Sequence, residues 1–178
     1  MVATVTTKVY QGAGPSEDDL PAGNLRFCTA DITDPGNTYP IPIPSVSYNY
    51  GYCKSISFYV SVAPDTSITG IYIYTDGSLG WGADVTVYIG NQTPTAYVQS
   101  TGTPGTTGTE MVAFYTGISS KSDFFGYTSG SPFGPVDQIA TSGTGRYTKY
   151  VVLQPRIGIG ASSGAKAAET ATWKYNEV

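Results

Sequence analysis

The stretch Lys54–Val62 alternates strictly, with Ile56, Phe58, Val60 and Val62 separated by Ser55, Ser57, Tyr59 and Ser61. A period of two puts these sets on opposite faces of an extended chain, so the segment reads as a half-buried β-strand with a hydroxyl-rich outer face. The pattern recurs. Ile71 and Ile73 oppose Tyr72 and Tyr74; Val85, Val87 and Ile89 share one phase; so do Val151, Leu153, Ile157 and Ile159, and finally Ala171, Trp173 and Tyr175. No useful length carries the i, i+3, i+4 spacing of an amphipathic helix, and only 161–168 is expected to form a helical turn. A chain built this way is confined to the all-β class.

Further strands are expected at 2–10, 25–32, 96–99 and 111–115, separated by segments rich in Gly and Pro. Residues 11–23, with the acidic run Glu17-Asp18-Asp19, read as a loop, and Asp76-Gly77 as a turn needing positive φ. Pro35, Pro40, Pro42 and Pro44 cannot donate to a ladder and confine 33–52 to loop or edge; Pro155 marks a bulge or edge in 146–159. Residues 119–144 read as a long ordered loop pinned by Phe124, Phe125, Tyr127 and Phe133. Eight or nine short strands with such connections predict one antiparallel β-sandwich over 1–178, jelly-roll-like, with 1–23 as an optional N-terminal arm.

Composition then removes whole classes of chemistry. There is no histidine, which excludes Ser-His-Asp and Cys-His nucleophile systems and every imidazole-dependent metal site. Nine basic residues, scattered, and a net charge of −4 argue against nucleic acid as a partner. No stretch approaches the ~20 apolar residues of a membrane span, and the N-terminal residues lack the features of a signal peptide. Cys28 and Cys53 are too few for a disulfide scaffold; buried thiols are expected, with a single bridge as the alternative.

Three constellations remain. A glycosidase-type carboxylate pair could draw on Asp76, Asp84, Glu110, Asp123 and Asp137, but their settings are turn-like and no spacing selects a pair. Asp31, Asp34 and Asn37 are calcium candidates across a Pro-Gly turn, without the alternating pattern of a calcium loop. Aromatic and proline-rich surface is the third. Tyr39, Pro40, Pro42, Pro44, Tyr48, Tyr50, Tyr72, Tyr74 and Trp81 are the interface candidates, because interface cores are enriched in Tyr and depleted in charge, and charged residues are only 12% of this chain. The same rings could instead stack sugars.

Residues 24–31 running into Tyr39-Pro-Ile-Pro-Ile-Pro44, then 74–81, and the ending Trp173-Lys-Tyr-Asn-Glu177 together resemble β-rich virion structural proteins of tailed bacterial and archaeal viruses. The resemblance implies a non-enzymatic capsid decoration, minor capsid or tail-associated subunit, located in the virion. It would need no cofactor, and its partners would be other virion proteins and copies of itself, with a trimer expected. A carbohydrate-binding β-sandwich is the alternative.

Overall fold

A computed structural model describes residues 2–20 and 24–178. The fold is all-β and antiparallel, and its two facing sheets are unequal. The main sheet runs β2-β1-β4-β11-β6-β9, formed by β1 (Thr4–Gln11), β2 (Ser16–Asp19), β4 (Lys54–Val62), β6 (Val85–Gly90), β9 (Lys121–Asp123) and β11 (Val151–Gly158). Two short strands join it: β3 (Tyr48–Tyr50) pairs with β11, and β10 (Gly145–Arg146) with β4. Against it lies a two-stranded sheet of β5 (Ile68–Thr75) and β12 (Ala171–Glu177), while β7 (Gly102–Thr103) and β8 (Thr107–Gly108) form a separate hairpin. Eight strands facing two is a sandwich, but not the pair of comparable sheets that a jelly roll would supply.

The alternating residues fill the space between the sheets. Ile56, Phe58, Val60, Ile71, Ile73, Val87, Val151 and Leu153 are all buried as their phase requires; Val85 and Trp173 are half-buried. Phe58 is fully enclosed, edge-on to Trp173 (5.6 Å) and Tyr175 (5.1 Å).

The opposite face of β4 departs from expectation. Ser55 and Ser57 are buried, because Tyr115, Tyr10 and Tyr150 build a second apolar layer there with Met111, Ile118 and Val152. Each serine is satisfied by a phenol: Ser55 meets Tyr115 (3.1 Å) and Ser57 meets Tyr10 (2.9 Å). The main sheet is therefore covered on both sides over the first half of β4, where the Ser55 and Ser57 hydroxyls are interior partners, while Ser61 stays exposed.

Other expectations are corrected as well. The acidic run is not loop but β2, a hairpin strand on β1, and β1 itself pairs with β4 from Thr4↔Val62 to Tyr10↔Ser55. The N-terminal stretch, for which an arm was an option, is thus built into the sheet as far as Asp19; residues 21–23 lie outside the described residues. Residues 24–47 form no ladder: they cross the mouth of the sandwich, tied by single bonds such as Tyr52 N–H to Cys28 O (2.8 Å) and Thr29 N–H to Tyr39 O (2.9 Å). Residues 96–99 are likewise outside any strand, and 161–168 contain no helix. The helical turn is instead α1 (Met111–Phe114), whose Met111 and Tyr115 bury the i and i+4 positions.

Pro155 sits at no edge of β11, but it does face a one-residue irregularity in the pairing on one flank. On one flank β11 pairs continuously with β6, from Leu153↔Ile89 to Ile157↔Val85. On the other it pairs with β4 up to Leu153↔Lys54 and with β3 from Arg156↔Tyr50 onward. Pro155 lies at that seam, where a ladder donor is not required, and its carbonyl takes Gly51 N–H (2.9 Å).

Candidate binding surfaces

Beyond the second apolar layer, the outer face of the main sheet carries a partly exposed array of rings and cations. β11 presents Arg156, with its guanidinium carbon 4.1 Å from the Tyr48 ring centre and 5.4 Å from that of Tyr88. β9 presents Lys121, whose ammonium lies 4.3 Å from the Tyr88 ring and 4.8 Å from the Tyr50 ring. The result is an alternating ladder, Tyr48–Arg156–Tyr88–Lys121–Tyr50, spanning four strands. Cation–ring contacts of this kind each contribute about 0.5–2 kcal/mol, depending on exposure. Glu110 forms an ion pair with Lys121, and Thr107 Oγ1 accepts Tyr50 N–H (3.0 Å). Arg156 donates through Nη2 to Thr86 Oγ1 (3.2 Å), while its buried Nε has no partner among the described residues. Tyr48 is 45% exposed. Counted with Glu110, the ladder holds net charge +1 in a chain of −4.

The inner side offers a different feature. Because the second sheet has only two strands, it covers only part of the main sheet's inner face. Over Ile56, Val87 and Leu153 the covering is made by 24–43 and 161–171, and between them lies a cavity of about 1010 Å³. The space opens to solvent and its rim is polar, with Asn37, Ser162, Ser163 and Thr170 among the lining residues, while Ile56, Val87 and Leu153 beneath it are themselves buried.

The interface candidates divide among these features. Tyr48 and Tyr50 belong to the ladder, brought together with Arg156, Tyr88 and Lys121, which sequence reasoning missed. Pro40, Pro42 and Trp81 line the cavity, where Trp81 Nε1 donates to Ala167 O (2.8 Å) and its ring meets Phe27 edge-on at 6.2 Å. Tyr72 and Tyr74 are half-buried on the outer side of β5, opposite Lys174 and Thr172 of β12. Tyr39 is exposed with φ 57°, and Pro44 is half-buried; neither joins a cluster.

The carboxylates have separate local tasks. Asp76 Oδ1 accepts Ser78 N–H, Asp84 Oδ2 accepts Gly160 N–H, Asp123 Oδ1 accepts Phe125 N–H, Asp137 pairs with Lys149, and Glu110 with Lys121. Of the calcium candidates, Asp31 accepts Gly12 N–H and Gln99 Nε2 (both 2.9 Å), Asp34 lies 3.8 Å from Arg26, and Asn37 lines the cavity mouth. Among the described residues no three His, Cys, Asp or Glu side chains group as a metal site. Cys28 and Cys53 are free, buried thiols, and burial pushes Cys53 well above the usual thiol value.

Lys54 is the most unusual titratable group. It is 1% exposed and donates to the Ile32 carbonyl, with no carboxylate in ion-pair range among the described residues. Burial draws its pKa below the ordinary lysine value, opposed by Cys28, Asp31 and Cys53 nearby.

No helix among the described residues is long and apolar enough to cross a membrane. Comparison with protein-family models, curated proteins and solved structures gives no match for this chain.

Proposed function

We propose that the protein is a non-enzymatic structural subunit of a virion, a capsid decoration or minor capsid protein, that acts through protein–protein contacts. The observation that carries this reading is the Tyr48–Arg156–Tyr88–Lys121–Tyr50 ladder. Tyr and Arg dominate the energetically important positions of protein interfaces, and here they are held in place on rigid strands before any partner arrives. A half-exposed tyrosine stacked on an arginine loses little conformational freedom when it is covered. The separate engagement of each candidate carboxylate agrees with a role in contact rather than in chemistry. The exposed Tyr48 ring, which could stack a sugar, favours glycan binding as a second reading.

The test is mass in solution by light scattering, with Tyr48→Ala/Arg156→Ala beside the parent. A parent at an integer multiple of 18.7 kDa that falls to monomer in the variant supports assembly through this face. A parent that stays monomeric at high micromolar concentration refutes self-assembly. Binding of the parent, but not the variant, to a glycan array would then favour the second reading.

A further inference from the structure

We infer that the open flank of β12 takes the acidic edge strand β2 of a second copy of this chain as its next neighbour. The inference rests on the reading that copies assemble, but it uses the rim of the sandwich rather than the ladder.

The two flanks of the two-stranded sheet differ. On the β5 flank, Ile73 exchanges both backbone bonds with Phe133 (3.1 and 2.9 Å), and the N–H groups of Thr75 and Ile68 reach Tyr127 O and Thr141 O (both 2.8 Å). The β12 flank has no strand beside it among the described residues. Directly opposite residues of an antiparallel pair either exchange their backbone bonds or both turn them away. Trp173 stands opposite Ile73, Ala171 opposite Thr75 and Glu177 opposite Ile68, so these residues, with Tyr175 in the same alternation, turn their N–H and C=O groups to the open flank. Such a row is a template for an added strand.

Charge decides which strand. Lys174 is exposed at the middle of β12, and none of the ion pairs among the described residues includes it. Pairing two β12 edges over their full length would set the Lys174 side chains of both copies directly opposite each other, which is unfavourable. β2, the Ser16-Glu17-Asp18-Asp19 end of the main sheet, would repel its own kind in the same way.

The cross-pairing is complementary in register. Phe58 gives its N–H to Thr148 Oγ1 (3.1 Å) and takes Tyr147 N–H (2.9 Å), so it turns away from β1. Thr7, opposite Phe58, therefore faces the β2 side; Val9 shares that side and pairs with Asp18, which leaves the backbone groups of Glu17 and Asp19 facing outward. Set antiparallel on β12, with Asp19 opposite Trp173 and Glu17 opposite Tyr175, β2 brings Asp18 directly opposite Lys174. That position is the non-hydrogen-bonded one, where side chains are closest. A shift of two residues loses the match: Glu17 then meets Glu177, or Ser16 meets Lys174. Asp18 Oδ2 takes Gln11 Nε2 (2.7 Å) and Oδ1 has only a 3.3 Å contact from Ser16, so the carboxylate keeps acceptor capacity. Each edge rejects its own kind and accepts the other.

Added cysteines read the register directly, because both native thiols are buried. Asp18→Cys and Lys174→Cys are purified separately, mixed at high micromolar concentration with oxidised glutathione, and the disulfides mapped by mass spectrometry. Residues directly opposite in such a pair lie about 4.5 Å apart at Cα, within the span of a disulfide. Expected is a mixed 18–174 product in about tenfold or greater excess over either homodimer. Thr172→Cys in place of Lys174→Cys should lose that excess. By light scattering, Lys174→Glu should lower the assembled mass and Lys174→Glu/Asp18→Lys should restore it. A predominance of 174–174 links, products in random proportion, or no recovery by the charge exchange overturns the pairing. A parent that assembles without forming the mixed link overturns the edge contact alone; one that neither assembles nor cross-links overturns the assembly reading with it.

Discussion

Gln154 is fully buried on β11 and bonds in three directions: Oε1 accepts Met111 N–H (2.8 Å), while Nε2 donates to Gly51 O (2.9 Å) and Thr109 O (2.8 Å). It thereby ties the first residue of α1, the loop before it and the β3–β4 connection to the central strand. Gln154→Met keeps the length of the side chain and removes every polar atom. Two of the orphaned groups, Met111 N–H and Gly51 O, lie in buried bonds, and each costs roughly 1–3 kcal/mol when left unpaired. The third, Thr109 O, is only partly buried and recovers some water. Removing the amide's own desolvation penalty offsets part of the loss, so the net destabilisation should be about 3–4 kcal/mol. Urea unfolding followed by tryptophan fluorescence measures it, with an unchanged m value showing that the native fold persists. Hydrogen exchange adds a local readout: the Met111 amide should lose protection selectively. A loss below about 1 kcal/mol, or a Met111 amide as protected as before, would refute the idea that Gln154 holds these segments together.

Four further outcomes are expected. Phe58→Ala, which empties a fully enclosed ring site, should cost about 3–5 kcal/mol in the same assay; less than about 1 kcal/mol would contradict its placement. Lys54→Met should raise stability at neutral pH. Because burial lowers the folded-state pKa, the unfolded chain holds the extra proton between that value and about 10.4, and the parent gains stability as pH climbs through this window. The variant's advantage should therefore shrink towards pH 10 when the two are compared pairwise, a difference in which Cys53 and the buried tyrosines largely cancel; a constant difference would count against a buried charge. Gly108→Ala should destabilise by more than about 2 kcal/mol, since its Cβ meets the Gly51 carbonyl, whereas Gly126→Ala, with open space around it, should stay within about 1 kcal/mol of the parent. Both thiols should resist an aromatic disulfide reagent until the chain unfolds; rapid labelling of either would show that its burial is not maintained.

The strands legible in the sequence are those whose apolar residues alternate over enough positions to define a phase: β4, β5, β6, β11 and β12. Shorter pieces were ambiguous for a physical reason. Met111 to Tyr115 has five residues, in which strand and helix spacing are both satisfied, and the contact of Gln154 with Met111 N–H, which helps hold the helical turn, comes from 43 residues away. The acidic β2 has no apolar phase, because as an edge strand its ladder with β1 suffices. Leu25 and Phe27 had a strand's alternation but serve as covering over the core, packed by side chain rather than by ladder. Of the ladder, Tyr48 and Tyr50 stood out by their spacing, whereas Arg156, Lys121 and Tyr88 become their neighbours only once the strand order is known.

The seam opposite Pro155 decides which way those tyrosines point. Along β4 the even-numbered residues Ile56, Phe58 and Val60 face the core, and an unbroken continuation backward would send Tyr50 and Tyr48 inward as well. The pairings do not continue unbroken: residue numbers sum to 207 at Leu153↔Lys54 and to 206 at Arg156↔Tyr50. One surplus residue is therefore absorbed between Tyr50 and Lys54, which reverses the parity of everything before it. Tyr48 and Tyr50 consequently emerge beside Arg156 on the outer face. Deleting one residue from Gly51–Cys53 would remove the surplus and join β3 to β4 in one unbroken register, with Tyr50 still opposite Arg156 and both phenols still outward, so the ladder should survive the loss of the irregularity.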